Sequence, residues 1–385
     1  MSGYRIALVL VKHDSRAADK DQYMRVTNRY LYYQLLKDIG NNTEKLFKLN
    51  SQISSGKRIQ KPSDDPLGMG EVLNYRTELT ALTQHQKTIE YAGGWLNMMD
   101  SMLTQTDDLL ARALELATQQ ASATASAETR ENVAYEIENI RTMVISLANS
   151  KYGNKYMCGG TQTRDQSFLN ISVEDWQENV LAFSSSPPSL PQEGDRYIDT
   201  DDNHIYAYED GLWQDQGEPE EGTAVVVEED ADLYIYNSEH WAKQYQGNDS
   251  SSSLKITENN TIDISIPGNE IFRSENGDTV MTLLRLEKAL RENDQEGVQN
   301  EIAQIENCST TVLNNLAIVG SKTNQLDHTQ AILEKNDINI QERLSSVEDL
   351  DYAEAITSLQ NQQTVYEAAL KSAAMITGLS LVDYV

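Results

Sequence analysis

The sequence has only two cysteines in 385 residues, Cys158 and Cys308. Two thiols so far apart are too few for a disulfide framework, and neither has other cysteines or histidines at metal-site spacing. We therefore expect both cysteines to be free thiols that say little about the compartment.

Long hydrophobic runs are also missing. The nearest candidate is residues 6–11, a short apolar run after Arg5, whereas a membrane helix needs about 18 apolar residues. The run is also too short for the hydrophobic part of a secretory signal. The sequence therefore predicts neither a membrane partner nor a cleaved secretory leader.

Residues 1–23 do not share the pattern that starts at Met24. We expect Met24 to be the native initiator and residues 1–23 to be a mis-assigned start or a flexible extension. Mass spectrometry of the native amino terminus tests this, and a peptide from residues 1–23 would contradict it.

Basic side chains are scarce, with 31 Lys and Arg against 60 Asp and Glu and a net charge of −29. Phosphate binding needs clustered Lys and Arg, which are scattered here, so neither nucleic acid nor an anionic membrane is expected as a partner. The acidity predicts solubility and mutual repulsion.

Recognisable catalytic motifs are absent from the sequence. The five histidines lie in unrelated segments and form no HExxH or Ser-His-Asp arrangement. Gly56-Lys57 resembles the end of a phosphate-binding loop, but Ser51 replaces its first glycine and no strand precedes it. Residues 199–203 resemble a calcium loop but lack the glycine and distal glutamate of an EF-hand, so a solvated turn is preferred. We expect no catalytic, cofactor-binding or metal-binding residue, which also weakens the hypothesis of a hydrolase in the middle of the chain.

Both ends of the chain carry apolar residues at alternating spacings of three and four. Each stripe covers about three or four heptads and has one polar position, Asn42 or Gln363, so it needs a partner helix. The stripes are expected to pack on each other or on neighbouring copies, as an assembly interface rather than an active site. The first contains Tyr32, Leu35, Ile39, Leu46, Leu49 and Ile53, and the second contains Tyr352, Ile356, Leu359, Tyr366, Leu370 and Ala373.

Helical patterns also occupy the regions between the ends and the middle. Residues 54–56 and 62–66 break the first stripe. Asp64 and Asp65 are expected to cap the next helix, so that a change to Ala would cost about 1 kcal/mol of stability. Seams over 96–117 and 133–147 are separated by a turn at 121–127. Residues 298–347 keep one register for about 50 residues. The predicted fold is mainly α, an elongated helical bundle or coiled coil built from both chain ends, with a β-rich insert.

The insert, residues 166–270, contains an internal repeat of strand, turn, strand and tryptophan. Residues 193–249 hold 17 acidic residues against two basic ones, which predicts a solvated outer surface. The tryptophans, Trp213 and Trp241, indicate either a small sheet core or a glycan-binding surface. The repeated residues Gly194, Tyr197, Ile198, Ile205, Tyr206, Tyr208 and Trp213 recur 28 residues later as Gly222, Val225, Val226, Leu233, Tyr234, Tyr236 and Trp241.

Several segments resemble the flagellins and their relatives. Residues 24–27 read MRVT, 49–59 read LNSQISSGKRI and 62–66 read PSDDP, as at the amino-terminal end of that family. Residues 320–326 (GSKTNQL), 347–356 (VEDLDYAEAI) and the terminal helix resemble its carboxy-terminal end. Residues 153–163 (GNKYMCGGTQT) are similar to a segment of the hook-associated protein 3 family, although Cys158 stands where that family usually has Phe. The resemblance does not extend to the insert.

This resemblance implies an adapter ring at the flagellar hook-to-filament junction, without enzymatic activity or cofactor. It implies a homo-oligomeric ring beside another hook-associated protein and flagellin. It also implies type III export to the extracellular flagellum, with a chaperone on the C-terminal helix. The alternatives are a flagellin filament subunit and a secreted protein whose insert binds glycan or a host surface.

The resemblance also implies a domain plan. Residues 24–65 and 350–385 form a terminal coiled coil, 66–165 and 271–349 a helical rod, and 166–270 an outward insert. The expected assembly residues are Leu35, Ile39, Leu46, Leu49, Ile53, Ile356, Leu359, Tyr366 and Leu370.

Overall fold

A computed structural model describes residues 20–122, 125–177, 179–229, 232–237, 239–274 and 277–382, with side chains undescribed for 20–29, 274 and 376–382. Residues 1–19 of the predicted extension lie outside these residues, and the expected start at Met24 stays a prediction. The chain divides into two compact units, residues 1–80 with 336–385, and residues 81–335. This division is coarser than the predicted domain plan, whose boundaries stay predictions.

The described residues form seven helices, and the prediction of a mainly helical chain with a β-rich middle is confirmed. Long helices come from both ends of the sequence, and only short ones interrupt the middle. Their bounds are α1 (Lys20–Ser55), α2 (Pro66–Gln120), α3 (Ala127–Ala148), α4 (Gly268–Phe272), α5 (Thr279–Arg291), α6 (Gln295–Glu348) and α7 (Tyr352–Val382).

The helix ends follow from local chemistry. Gly56 stops α1 with φ of +71°, a conformation that glycine adopts without strain. Asp65 Oδ1 accepts the backbone N–H of Gly68 at 3.0 Å and so caps α2. The prediction for Asp64 is corrected, since its Oδ2 accepts the N–H groups of Gln60 and Lys61 in the preceding loop. That loop turns so tightly that only one of the two aspartates reaches the helix.

The helices of the second unit share one apolar core. Leu96, Met99 and Leu103 of α2 are fully buried in one cluster with Ile137 and Val144 of α3. These residues belong to the two predicted seams, so the seams mark the buried faces of α2 and α3. Within this core the Arg141 guanidinium lies 3.2 Å from Glu287, and both side chains are almost completely buried.

Thirteen short strands lie among the described residues. β1 (Lys151–Tyr152) pairs with β2 (Lys155–Tyr156), β10 (Ser253–Lys255) with β11 (Thr261–Asp263), and β12 (Arg273–Ser274) with β13 (Gly277–Asp278). A four-stranded sheet has the order β3 (Phe183–Ser184), β4 (Arg196–Asp199), β5 (Ile205–Glu209) and β6 (Leu212–Asp215). A three-stranded sheet has the order β7 (Ala224–Val227), β8 (Asp232–Tyr236) and β9 (Trp241–Lys243).

The 28-residue repeat is also a structural repeat. We call β4–β6 the first hairpin module and β7–β9 the second. Gly194 donates its N–H to the carbonyl of Tyr208 at 2.9 Å, and Gly222 does the same to Tyr236 at 2.8 Å. Both glycines have positive φ, 94° and 91°, so the same turn opens each module.

The two modules stack in the same orientation. Ala224, Val226, Leu233 and Ile235 of the second module join the helical core. Its other face, with Tyr236 and Trp241, packs with Ile198 and Ile205 of the first module. Because side chains alternate along a strand, the first module turns its tyrosines away from this second core.

This layering corrects the surface interpretation of Trp241. Its side chain is 8% exposed and its Nε1 donates to the carbonyl of Asn203 at 3.1 Å. Trp213 is half-buried on the opposite face of the stack. Only Trp213 therefore remains as the tryptophan of a possible insert surface.

The two cysteines are free, as predicted, and both are buried. Burial raises the pKa of the Cys158 thiol to about 12, so it stays protonated at neutral pH. The Tyr245 hydroxyl donates to the carbonyl of Cys158 at 3.0 Å. Aromatic rings next to this tyrosine fill the region. The ring centroid of Phe168 lies 5.0 Å from that of Tyr245 and 5.4 Å from that of Phe272.

Candidate assembly interface

The first unit is built on an antiparallel pair of helices from opposite ends of the sequence, α1 and α7. Five predicted α1 residues lie on one stripe and are half-buried along this pair, while the residues between them are largely exposed. An antiparallel seam with three-and-four spacing lets side chains of both helices interlock. The five are Leu35, Ile39, Leu46, Leu49 and Ile53.

The stripe on α7 differs by one residue from the predicted register. Leu359 and Tyr366 are half-buried, whereas Ile356 and Leu370 are 46% and 43% exposed. The buried column instead has Ala355, Gln362 and Ala369 where the prediction had Ile356, Gln363 and Leu370. Its members are Ala355, Leu359, Gln362, Tyr366, Ala369 and Ala373. Ile356 and Leu370 therefore lie outside the α1–α7 seam and are open to another surface.

A polar pair crosses the middle of the seam. Gln362 Nε2 donates to Asn42 Oδ1 at 3.0 Å. The sequence identified Asn42 as a seam position but expected Gln363 on the other helix. The single bond matches one amide with one amide, so it favours this register over a slipped one.

The segments joining these helices to α2 and α6 are tied together beside the pair. Arg58 donates its backbone N–H to the carbonyl of Glu348 at 2.7 Å, and Leu350 donates to that of Gly56 at 3.0 Å. Arg58 Nη2 also donates to the carbonyl of Val347 at 2.7 Å. These bonds join the segment that follows α1 to the segment that precedes α7.

An acidic residue with two basic partners completes this tie. Glu348 is 4% exposed, and its Oε1 lies 2.5 Å from both Lys57 Nζ and Arg76 Nη2. Two cations on one buried carboxylate offset the cost of removing its charge from water. Sequence reasoning missed Glu348, because an acid within a charged run gives no signal of burial.

Two aspartates of the connecting loop are held in the ionised state. A hydrogen bond from the Lys48 side chain, 2.9 Å away, lowers the pKa of Asp64 despite partial burial. The backbone N–H of Gly68 and then the Arg58 guanidinium lower the pKa of Asp65. Both carboxylates therefore support the folded loop at neutral pH.

The outside of the pair carries several large apolar side chains. Phe47 on α1 is 72% exposed, and Val365 on α7 is half exposed. A groove of about 450 Å³ runs between the helices, with Lys45, Leu49 and Gln362 among its lining residues. Exposed apolar rows of this kind mark surfaces for protein contact. The other exposed apolar residues include Tyr30, Leu31, Tyr32, Leu36, Tyr352 and Met375.

The described part of the chain offers no group of three or more His, Cys, Asp or Glu side chains arranged to hold a metal ion. Within the same residues, no helix has the length and apolarity needed to cross a bilayer. The residues of the α1–α7 pair thus supply contact surface, hydrogen bonds and ion pairs.

The first and last of the described helices thus pair, with a β-rich segment between them in the sequence. The family model of the bacterial flagellin N-terminal helical region matches residues 26–163, and that of the C-terminal helical region matches residues 302–385. Together they cover more than half of the sequence. The chain belongs to the flagellin superfamily.

Two curated relatives are flagellar hook-associated protein 3 from different bacteria. The Salmonella typhimurium protein is 28% identical over 146 residues, which cover 38% of this chain and 46% of the relative. The Escherichia coli protein is 25% identical over 195 residues, covering 49% of this chain and 61% of the relative. The chain thus spans about half the length of these relatives.

A solved structure agrees in fold. It is described as a flagellar hook-associated protein from Vibrio parahaemolyticus and superimposes with a TM-score of 0.53. The match covers 74% of this chain and all of the other at 15% identity. At this identity the likeness concerns the fold alone.

Proposed function

We propose that this protein is a structural subunit of the bacterial flagellum that forms an adapter ring between hook and filament. The observation that carries the proposal is the α1–α7 pair with apolar rows on its outside. Similarity to two hook-associated proteins 3 supports the junction rather than the filament. The resemblance of segment 153–163 to the hook-associated protein 3 family adds support, and within this segment the backbone N–H of Tyr156 donates to the carbonyl of Thr163 at 2.9 Å.

In this role the seam and the outer rows have different tasks. Leu46 and Leu359 hold α1 against α7 within one subunit. Phe47, Ile356 and Leu370 contact neighbouring copies in the ring, or the adjoining hook-associated protein and flagellin. Such neighbours would bury side chains worth about 1.5–3 kcal/mol each when fully covered.

The proposed subunit has no catalytic activity and needs no cofactor. It reaches the extracellular flagellum through the type III export channel, with a chaperone on α7 until assembly. This route suits a chain whose two ends pair only after export. The helices α1 and α7 are far apart in sequence, and the residues of their seam are only half-buried.

Immunogold labelling of intact flagella with an antibody against the insert tests the position. A single band at the hook–filament boundary is expected. Label along the whole filament would assign the protein to the filament instead, and unlabelled flagella would contradict both roles.

Two matched substitutions separate the seam from the outer row. In a strain that carries only the variant chain, Leu46→Asp should open the pair and lower the helical content of α1. Phe47→Asp should leave the helical content of the purified monomer unchanged while abolishing swimming. Glu44→Gln, an exposed polar change on the same helix, is the control. Normal motility with Phe47→Asp would refute the outer row as a contact surface.

A further inference from the structure

One face of the first hairpin module is left open, whereas the equivalent face of the second module is covered by the first. In the second module, Tyr236 and Trp241 lie between the two sheets, against Ile198 and Ile205 of the first. The equivalent side chains of the first module point away from that core. The stack therefore ends in one uncovered face, here called the outer face and formed by Tyr197, Tyr206, Tyr208 and Trp213.

The rings of the outer face form a connected surface. Tyr197 stacks on Tyr206 with centroids 5.2 Å apart, and Trp213 meets Tyr197 edge-on at 4.8 Å. Tyr208 meets Trp213 edge-on at 5.2 Å. Tyr197 is buried beneath the others, and the remaining three rings are partly accessible. The rings are thus fixed by one another before any ligand arrives, which limits the entropy lost on binding.

The second module shows which groups lie next to the equivalent rings. Lys243 Nζ lies 5.4 Å from the ring centroid of Tyr234 and pairs with the carboxylate of Asp232. Aliphatic side chains of the first module complete the cover. The rings of the second module thus have two kinds of neighbour, apolar groups of the first module and one ammonium group of their own module.

The first module has the opposite charge at the same position. Asp215 stands 28 residues before Lys243, directly across from Tyr206 in the strand register. The Tyr206 hydroxyl donates to Asp202 at 2.9 Å, and His204 Nδ1 lies 3.0 Å from Asp215. A ring that has an ammonium neighbour in one module is flanked by carboxylates in the other.

We propose that the outer face binds an extended protein segment that presents aliphatic side chains flanked by lysine or arginine. The aliphatic groups take the place that the first module occupies on the second. The cation lies over Tyr206, between Asp202 and Asp215, where attraction to the ring and to the carboxylates adds. The net charge of −15 over residues 193–249 favours encounter with a basic partner and repels an acidic one.

The probe for the test is a capped octapeptide of alternating lysine and valine, titrated into the full-length protein and followed by calorimetry. A peptide of alternating glutamate and valine is the charge control, and a neutral glucose hexasaccharide represents a glycan. We expect binding of the lysine peptide alone, weakened by added salt.

Matched variants assign the binding to the face. Asp215→Asn and Glu258→Gln remove the same charge, one on the outer face and one in an exposed turn outside it. We expect about a threefold to fivefold loss for Asp215→Asn and less than twofold for Glu258→Gln. Trp213→Ala should weaken binding about tenfold, and Asp215→Lys, which copies the arrangement of the second module, should abolish it. Near-ultraviolet circular dichroism reports whether each variant keeps its fold, and Tyr208→Ala replaces Trp213→Ala if the latter unfolds the module.

Three results would overturn the proposal. Equal losses for Asp215→Asn and Glu258→Gln would indicate general charge attraction. Undiminished binding by folded Trp213→Ala or Tyr208→Ala would place the peptide elsewhere. Binding of the hexasaccharide in a Trp213-dependent manner, without binding of the lysine peptide, would make the face a glycan platform.

Discussion

Asn42 and Gln362, 320 residues apart in sequence, share one hydrogen bond of 3.0 Å across the seam between α1 and α7. Gln362→Ala should lower the free energy of unfolding of the first unit by about 0.5–1.5 kcal/mol, because Asn42 loses its donor. Gln363→Ala, one position outside the seam and exposed, is the control and should change it by less than about 0.5 kcal/mol. A double-mutant cycle with Asn42→Ala, read by amide hydrogen exchange in α1, measures the coupling. A coupling of zero would contradict the role of this pair.

Glu348→Gln keeps the shape of the side chain but removes its pairs with Lys57 and Arg76. We expect a loss of about 1–2 kcal/mol in the first unit, since both partners are half exposed and can be solvated. Thermal unfolding at low and high salt is the measurement, and high salt should reduce the difference from the native protein. Glu342→Gln, an exposed change on the same helix, should have little effect on stability. An equal effect of the two changes would contradict a stabilising role for the ion pairs of Glu348.

Arg141→Met should destabilise the second unit by about 1.5–3 kcal/mol, because it removes one of the two cationic partners of the buried Glu287, which keeps Arg291 at 2.8 Å. It also removes the donor to the carbonyl of Ile171. The double variant Arg141→Met with Glu287→Leu should recover part of the loss, since the buried carboxylate is gone and Arg291 keeps its pair with Glu138 at 2.9 Å. The midpoint of urea unfolding measures both, with exposed Lys87→Met as the control. A double variant less stable than the single one would show that the pair itself is stabilising.

The connecting loop should weaken at acid pH. The lowered pKa values of Asp64 and Asp65 mean that the unfolded chain binds protons more readily than the folded one. Their contribution is therefore complete above the unfolded pKa of about 4 and is lost as the pH falls through the lower folded values. Asp64→Asn should flatten the fall in melting temperature of the first unit between about pH 5 and pH 2. Exposed Asp38→Asn is the control, and an unchanged pH dependence in Asp64→Asn would contradict the prediction.

The sequence predicts the helices and their buried faces well where one column of apolar residues stands alone, as on α1. On α7 two adjacent columns have the same spacing, one through Ile356 and Leu370 and one through Ala355 and Ala369. Hydrophobicity favours the larger residues, but close packing and the bond to Gln362 select the smaller ones. Periodicity gives a stripe, and the partner helix decides which column is covered.

The insert shows a similar limit. Trp213 and Trp241 occupy equivalent positions in the repeat, so no local pattern tells them apart. Their surroundings differ because one module lies inside the stack and the other at its end. Likewise the burial of Glu348 depends on Lys57 and Arg76, which are far away in sequence.

Because equivalent faces of the two hairpin modules point the same way, the insert could be extended. A tandem duplication of one 28-residue module could add a layer, with strands of successive sheets about 10 Å apart, and would leave the helices and their chain connections as they are. Relatives could then differ in how far this part of the molecule reaches while keeping the same assembly, so that insert length can vary in evolution independently of the terminal helices.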